Sequence, residues 1–314
     1  MNHTLYLGVD GGGSHTVALA ADDRGRILGR GEAQASNLYS VGLQAAQEAI
    51  LRAIEQALAT AGARLPVAAA CLGLAGIGRP AEQALWQRWA LDVRLAERVL
   101  VVHDSDLVLA AGTPAGWGLA LIAGTGSIAL GRSVGGAWAR AGGWGYLLGD
   151  EGSGYAVGLA ALQAVARAAD GRAPATALAQ AILAHWQLAE PSQLIGFVYR
   201  TRVPRVEIAG LAPLVEKAAA AGDPVAQAIL QAAGAELARA LDAVGRRLQM
   251  ASGPIPCALG GSLLVRGEIV RREMLQAATA LGWKLAPVTR VEEPATGALR
   301  LARAEVSLAN GSLK

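Results

Sequence analysis

The chain has 314 residues, of which 53% are hydrophobic and 17% charged, and its net charge is +3. This composition excludes an intrinsically disordered chain, and the length allows two domains of ordinary size. Basic residues are spread along the sequence without a cluster that includes aromatic residues, so we expect no nucleic-acid partner.

Signals of secretion and membrane insertion are missing from the sequence. An apolar, strand-like run begins within five residues of the start, where a leader would be basic and then apolar. No stretch of about 20 residues is apolar enough to span a bilayer. The two cysteines, Cys71 and Cys257, lie in apolar runs and are too few for a four-cysteine site. We expect a cytoplasmic protein with two buried thiols.

The first 113 residues alternate between apolar runs, turn residues and stretches of helical periodicity. Apolar residues at helical spacing end at Gly62, and Pro80 is typical of a helix start. The predicted elements are strands at 5–9, 16–21 and 26–33, a helix at 40–61, a strand at 67–74, a helix from Pro80, a strand at 99–103 and a helix at 106–113. Their order is βββαβαβα.

The same order restarts after residue 113 and is interrupted by a large helical block. The predicted elements are strands at 117–123, 127–132 and 137–140, helices at 155–170, 175–186, 192–199, 206–221 and 224–250, a strand at 255–259, a helix at 266–281, a strand at 284–286 and a helix at 295–304. No low-complexity linker separates the halves. We therefore predict two domains, residues 1–113 and 114–314, that flank a cleft.

Each half contains a glycine-rich turn between two strands, so each turn is predicted to close a β-hairpin. Glycine lets backbone N–H groups approach a polyphosphate closely, because it has no Cβ and tolerates positive φ. Two ordinary hairpin turns are the alternative. The predicted phosphate-binding residues are Gly11, Gly12, Gly13, Ser14 and Thr16 in the first turn and Gly124, Thr125 and Gly126 in the second.

These motifs resemble those of the actin and hexokinase superfamily. The two turns are similar to its phosphate-1 and phosphate-2 hairpins, and Gly260-Gly261-Ser262 is similar to its adenosine segment. Residues 142–153, which read GGWGYLLGDEGS, resemble the N-acetylglucosamine kinases of the BadF/BadG/BcrA/BcrD ATPase family. The resemblance covers residues 6–302. It implies an α/β fold of two ribonuclease-H-like domains, with ATP and Mg²⁺ as cofactors.

The resemblance also implies roles for two aspartates. Asp104 follows a predicted strand and matches the catalytic aspartate that takes the proton of the acceptor hydroxyl. Asp10 matches a residue that helps to hold Mg²⁺. A helix N-cap remains the alternative for Asp104, with Asp106 as a rival cap, and an Asx-turn remains the alternative for Asp10. We expect His103 to be a packed neighbour.

Substrate and nucleotide residues follow from the same resemblance. The implied sugar-binding residues are Asn37, Ser127, Gly143, Trp144, Gly145, Tyr146 and Asp150, and the implied adenosine-side residues are Gly210, Gly260, Gly261 and Ser262. Residues 73–76 are a weaker match to a segment that closes over the substrate. Tyr146 stands where the mammalian enzymes have His. Core packing remains open for Trp144, as does helix capping for Glu151.

The leading hypothesis is an ATP-dependent kinase that phosphorylates the 6-hydroxyl of N-acetylglucosamine, with glucosamine and N-acetylmuramic acid as close alternatives. A second hypothesis is an ATPase activator of an acyl-CoA reductase or dehydratase, which would need exposed cysteines for a shared iron–sulfur cluster. A third is a non-catalytic sugar sensor, but the chain shows no N-terminal helix-turn-helix. Arg-rich helical faces are consistent with either a solvated surface or a homodimer.

Overall fold

The computed structural model describes residues 4–113, 115–200, 203–250 and 253–311, with side chains for all of these except 200 and 307–311. The strands are β1 (Tyr6–Gly11), β2 (His15–Ala21), β3 (Ile27–Gln34), β4 (Val67–Leu74), β5 (Ala96–His103), β6 (Gly118–Ala123), β7 (Ser127–Arg132), β8 (Trp138–Gly142), β9 (Pro254–Gly260) and β10 (Lys284–Arg290).

The helices are α1 (Leu38–Val41), α2 (Leu43–Ala61), α3 (Pro80–Asp92), α4 (Asp104–Gly112), α5 (Gly154–Ala169), α6 (Leu178–His185), α7 (Gln193–Ile195), α8 (Arg205–Ala209), α9 (Ala212–Ala220), α10 (Pro224–Arg247), α11 (Ser262–Arg266), α12 (Glu268–Ala280) and α13 (Ala295–Gly311). A π-helical turn, Gly196–Arg200, follows α7. None of the described helices is both long and apolar enough to cross a bilayer.

The chain divides into two compact units. The first comprises Met1–Gly116 and Glu293–Lys314, and the second comprises Trp117–Glu292. The C-terminal helix α13 therefore packs with the first unit, whereas the sequence assigned everything after residue 113 to the second domain. The physical reason is an apolar face on α13, which includes Ala295, Ala298 and Leu299 and joins the core above β1.

The first unit is built on a five-stranded sheet of order β3-β2-β1-β4-β5. Strands β1, β2 and β3 are antiparallel, while β4 and β5 run parallel to β1. Helices cover both faces, because α2 packs on β3 and α13 packs on β1. The approach of α13 is close enough that a Cβ at Gly8 would lie 2.5 Å from the Leu299 backbone nitrogen.

The second unit repeats this topology. Its sheet has the order β10-β9-β6-β7-β8. Read from the other edge, this is β8-β7-β6-β9-β10, which corresponds strand by strand to β3-β2-β1-β4-β5 of the first sheet. Strands β6, β7 and β8 are antiparallel, and β9 and β10 continue in parallel. Both predicted hairpins and the α/β class are thereby confirmed. Helices α5 to α10 lie in sequence between β8 and β9.

Several element boundaries differ from the prediction for local reasons. The helix expected at 206–221 is divided into α8 and α9 around Gly210, and that expected at 192–199 becomes α7 and the π-helical turn. The sequence predicts that the helical block extends to about residue 252, and residues 251–252 lie outside the described residues. Both thiols are buried as expected, Cys71 in β4 and Cys257 in β9. Burial raises the pKa of Cys257 to about 12 and raises that of Cys71 as well.

Candidate active site

Two aspartates meet at one edge of the first sheet. Asp10 lies near the end of β1 and pairs with Gly73 of β4, while the neighbouring Leu74 pairs with His103 at the end of β5. Asp104 follows His103 directly as the first residue of α4. Because β1, β4 and β5 are parallel, their carboxyl ends lie at the same edge. The structure therefore brings together the two aspartates that the resemblance singled out.

The Asp10 carboxyl group is affected by burial and by the charges of two other acids. Its pKa is raised to about 7, first by burial and then by the negative charges of Asp104 and Glu293. An adjacent cation would remove much of this penalty, because it compensates a desolvated charge. One carboxylate with water and phosphate oxygens is also a common environment for Mg²⁺. Asp10 therefore fits the role of a ligand to a nucleotide-bound magnesium ion.

Glu293 is a residue that sequence reasoning did not single out. It lies two residues before α13, and its Oε2 accepts a hydrogen bond from Nε of Arg30 on β3 at 2.9 Å. The same guanidinium group donates to Glu32 at 2.9 Å. Glu293 lies 283 residues after Asp10, so no local sequence pattern could link the two residues. Only the packing of α13 on the first sheet brings Glu293 close enough to act on Asp10.

Asp104 is held by its two neighbours in the chain. Its Oδ1 lies 2.6 Å from Nδ1 of His103 and accepts the backbone N–H of Ser105 at 2.8 Å. The N-cap of α4 is His103, so Asp104 is not the cap that was considered as its alternative role. Both side chains are about one third exposed. A ligand could therefore reach the Asp104 carboxylate.

Asn37 caps helix α1 near this edge. Its Oδ1 accepts the backbone N–H of Tyr39 at 3.0 Å, and a Cβ on Gly76 would lie 3.2 Å from the same atom. The hydroxyl group of Tyr39 in turn donates to Glu82 of α3. The weakly assigned segment at 73–76 therefore lies against Asn37, and Tyr39 and Glu82 are neighbours that the sequence did not predict.

The first glycine turn is open only at its tip, because the carbonyls of Gly11 and Gly12 accept the N–H groups of Ala75 and Ser36 at 2.8 and 3.1 Å. Gly12 donates its N–H to the His15 carbonyl at 3.0 Å, while a Cβ at Gly13 would meet no atom within 4 Å. Ser14 is exposed at the tip. Thr16 is buried, and its hydroxyl lies 2.7 Å from the Gln34 carbonyl and 2.8 Å from Ser36 Oγ. In this structure the Thr16 hydroxyl thus belongs to an internal network, and a direct contact with phosphate stays a prediction.

The second glycine turn is held by hydrogen bonds with the segment 150–154. Asp150 is buried, and its Oδ1 accepts the N–H of Ser127 at 3.2 Å, while a Cβ on Gly126 would lie 2.9 Å from its Oδ2. The Gly124 carbonyl accepts the N–H of Gly154 at 2.7 Å. Ser127 Oγ donates to the Glu151 carbonyl at 2.7 Å. Asp150 and Ser127, both expected at the sugar, hold the turn in this structure.

Aromatic side chains of the glycine-rich segment are exposed beside this turn. Trp144 is 67% exposed, which excludes core packing as its role, and Tyr146 is 40% exposed. The guanidinium of Arg205 lies 4.8 Å from the Tyr146 ring centroid. A cavity of about 410 Å³ is lined in part by Ser127, Trp144 and Glu151. The segment thus presents ligand-sized space and accessible rings within the second unit.

The predicted adenosine residues converge on the same turn. Gly261 has φ +80°, and a Cβ there would lie 2.3 Å from the Ala123 carbonyl oxygen. Gly124 is its neighbour, because a Cβ on Gly124 would lie 3.9 Å from the Gly261 Cα. Gly210 follows Ala209, whose carbonyl oxygen is 3.4 Å from the Cβ position of Gly154. The other three predicted segments of the second unit, at 143–150, 210 and 260–262, therefore lie around the turn at 124–126.

The described residues contain no cluster of side chains that could bind a metal ion. No group of three or more His, Cys, Asp or Glu side chains there could hold a metal ion by itself. A protein-only metal centre is therefore not formed by the described residues. This finding is compatible with a magnesium ion that arrives with a nucleotide.

Known proteins share both sequence and structure with this chain. A model of the BadF/BadG/BcrA/BcrD ATPase family matches residues 7–301. The N-acetylmuramic acid/N-acetylglucosamine kinase of Clostridium acetobutylicum is 31% identical over 300 residues, which are 95% of this chain and 98% of that protein. The N-acetyl-D-glucosamine kinase of Dictyostelium discoideum is 33% identical over 260 residues, or 79% and 81% of the two chains.

Among solved structures, a candidate N-acetylglucosamine kinase from Chromobacterium violaceum matches with a TM-score of 0.76 and 29% identity. The match covers 96% of this chain and 99% of that one. Coverage of nearly the whole of both chains confirms the expected fold of two ribonuclease-H-like units.

Proposed function

Because the chain belongs to the BadF/BadG/BcrA/BcrD ATPase family, we propose that it is an ATP-dependent amino-sugar kinase. Its acceptor is the 6-hydroxyl of N-acetylglucosamine, with glucosamine and N-acetylmuramic acid as the alternatives to test. The observation that carries the proposal is the pair Asp10 and Asp104 at one sheet edge, with Asn37 and the open glycine turn in the same unit.

The chemistry assigns different tasks to these groups. Asp104 accepts the proton of the sugar hydroxyl as its oxygen bonds to the γ-phosphorus and the bond to ADP breaks. Asp10 would hold Mg²⁺, which neutralises phosphate charge when it is bound with ATP. In each unit, backbone N–H groups of the glycine turn, Gly11–Gly13 or Gly124–Gly126, bind phosphate oxygens, except those of Gly12 and Gly124, which donate within the turns. Asn37 orients the sugar so that the hydroxyl faces Asp104.

The amino-sugar class rests on the relatives, since the kinases of Clostridium acetobutylicum and Dictyostelium discoideum are both named for N-acetylglucosamine. Tyr146 and Trp144 supply exposed ring faces against which a sugar could pack. The activator alternative is weakened by the burial of Cys71 and Cys257, because cluster ligands must be accessible thiolates. The sensor alternative is weakened by the presence of both aspartates.

A coupled ADP-release assay tests the proposal. The purified protein is supplied with Mg²⁺-ATP and, in separate reactions, with N-acetylglucosamine, glucosamine, N-acetylmuramic acid, glucose or no sugar. We expect release with N-acetylglucosamine, and none with its 6-deoxy analogue. Equal release without sugar would favour the ATPase alternative, and release with the 6-deoxy analogue would exclude the 6-hydroxyl as acceptor.

A further inference from the structure

The position of His103 beside Asp104 carries an inference that goes beyond the base itself. His103 Nδ1 lies 2.6 Å from Asp104 Oδ1 and 2.9 Å from Ser105 Oγ, and it is 3.4 Å from the Ser105 backbone nitrogen. The backbone N–H of Ser105 also reaches Asp104 Oδ1, at 2.8 Å. Two roles are thus open to Nδ1, as a donor to the carboxylate or as an acceptor in the helix cap.

The distances decide between these roles. A bare ring nitrogen 2.6 Å from a carboxylate oxygen would set two lone pairs against each other, whereas an N–H there makes a short, charge-assisted hydrogen bond. The contact with the Ser105 nitrogen is the longest at 3.4 Å, and Ser105 Oγ, at 2.9 Å, has lone pairs that can also accept from an Nδ1–H group. The Ser105 N–H is already paired with Asp104 at 2.8 Å. The geometry therefore favours a proton on Nδ1.

We propose that His103 is a positioning residue for Asp104, and this inference rests on the proposed role of Asp104 as the base. His103 Nδ1–H and Ser105 N–H both donate to Oδ1, so Oδ2 is the oxygen that receives the proton of the sugar hydroxyl. In that step the O6–H bond breaks, the Oδ2–H and O6–P bonds form, and ADP leaves with the electrons of its bond to phosphorus. His103 keeps its own proton throughout.

The arrangement has a clear physical benefit. A carboxylate that is free to rotate presents either oxygen, while one that is fixed through Oδ1 presents Oδ2 in one orientation. His103 is the last residue of β5, whose backbone is held by the sheet, so its ring provides a rigid anchor. The pair is thereby oriented before the substrate arrives.

Histidine ¹⁵N spectroscopy tests the tautomer without any need for activity. The chain has four histidines, and the His103 ring is assigned as the one whose signals disappear in His103→Asn. We expect its Nδ1 to carry a proton at pH 7.5. An unprotonated Nδ1 would overturn the proposal.

Kinetics separates positioning from simple helix capping. His103→Ser keeps a good N-cap but is too short to reach the carboxylate, while His103→Asn keeps both a cap and an amide donor near the position of Nδ1. We expect kcat to fall about 10- to 100-fold in His103→Ser, with KM for sugar and ATP within about twofold, and to be largely restored in His103→Asn. The exposed His185 provides the control variant, His185→Ser.

The outcomes can be told apart from a failure of the proposed function. Wild-type turnover that is lost in Asp104→Asn establishes the base before the His103 variants are interpreted. Equal kcat in His103→Ser, His103→Asn and wild type would reduce His103 to a cap. Equal losses of kcat in both variants, with lowered melting temperatures, would assign it a structural role. Either result would overturn the proposal.

Discussion

The two units share one strand order, but different groups surround the glycine turn of each. In the first unit the tip of the glycine turn, at Gly13, is open, and Asp10, Asp104 and Glu293 lie near it. In the second unit the turn is braced by Asp150 and by Gly154, and the exposed groups nearby are aromatic. The same topology therefore carries acid groups in one unit, and a hydrogen-bonded glycine turn with exposed aromatic neighbours in the other.

The largest effect is expected from a substitution of Asp104, one of the acids of the first unit. Asp104→Asn should reduce kcat by about 10³-fold or more, because general base catalysis contributes about 10²–10⁴ and the amide cannot take the proton. Sugar binding, measured by calorimetry, should persist. Asp92→Asn, at an exposed position in the same unit, is the control. Turnover near that of the wild type in Asp104→Asn would remove the residue from its proposed role.

The second-largest effect is expected at Gly261, which packs against the strand that leads into the second glycine turn. Gly261→Ala places a methyl group 2.3 Å from the Ala123 carbonyl oxygen at φ +80°. We expect the free energy of unfolding to fall by about 3 kcal/mol, with both the left-handed backbone and the overlap contributing. Gly222→Ala is matched, since its φ is +93° and it has open space around it, and it should cost about 1 kcal/mol. Chemical denaturation of both variants measures the difference, and equal losses would show that no close packing exists at Gly261.

The raised pKa of Asp10 predicts how metal-free stability depends on pH. The pKa of Asp10 is about 7 in the native state and 3.8 for an ordinary aspartate, so between these values the native state retains a proton that the unfolded state releases. The free energy of unfolding should therefore fall as the pH rises from about 4 to about 7. The loss is on the order of 2 kcal/mol after allowance for the partial exposure of Asp10.

Asp10→Asn should remove this pH dependence. In the presence of a chelator the variant should melt at a higher temperature than the wild type at pH 8, and at nearly the same temperature at pH 4. The matched control is Asp23→Asn, at an exposed turn of the same unit. Parallel pH curves for wild type and Asp10→Asn would contradict the assigned cause.

The smallest effect is expected at Asp150, and it tests whether this residue acts by holding the second glycine turn. Asp150→Ala leaves the Ser127 N–H without its acceptor and loosens the second turn. We expect KM for ATP to rise about tenfold, which corresponds to about 1.4 kcal/mol. Asp150→Asn retains an oxygen acceptor and tolerates the φ of 59°, so it should be milder. A rise confined to KM for sugar would instead support the sugar-binding role that the resemblance implied.

Local patterns in the sequence predicted much of the fold correctly. Each glycine turn was placed between strands because apolar runs of strand length stand on both sides of it, and the structure has β1 and β2, and β6 and β7, in antiparallel pairs. The same patterns predicted less well where helices are short. Gly210 divides α8 from α9, because glycine is a poor helix former, and a π-helical turn follows α7 where regular helix was predicted.

The sequence by itself determined the order βββαβαβα in both halves and the two hairpin turns, because strand length, glycine spacing and apolar periodicity are local properties of the chain. Its motifs also resembled those of the family to which the chain belongs. Only the tertiary structure decided that α13 and Glu293 join the first unit. It also decided that Asp150 accepts a hydrogen bond from the second turn and that His103 Nδ1 contacts Oδ1 of Asp104. These depend on which surfaces pack together and on distances of a few ångströms, which no short stretch of residues encodes.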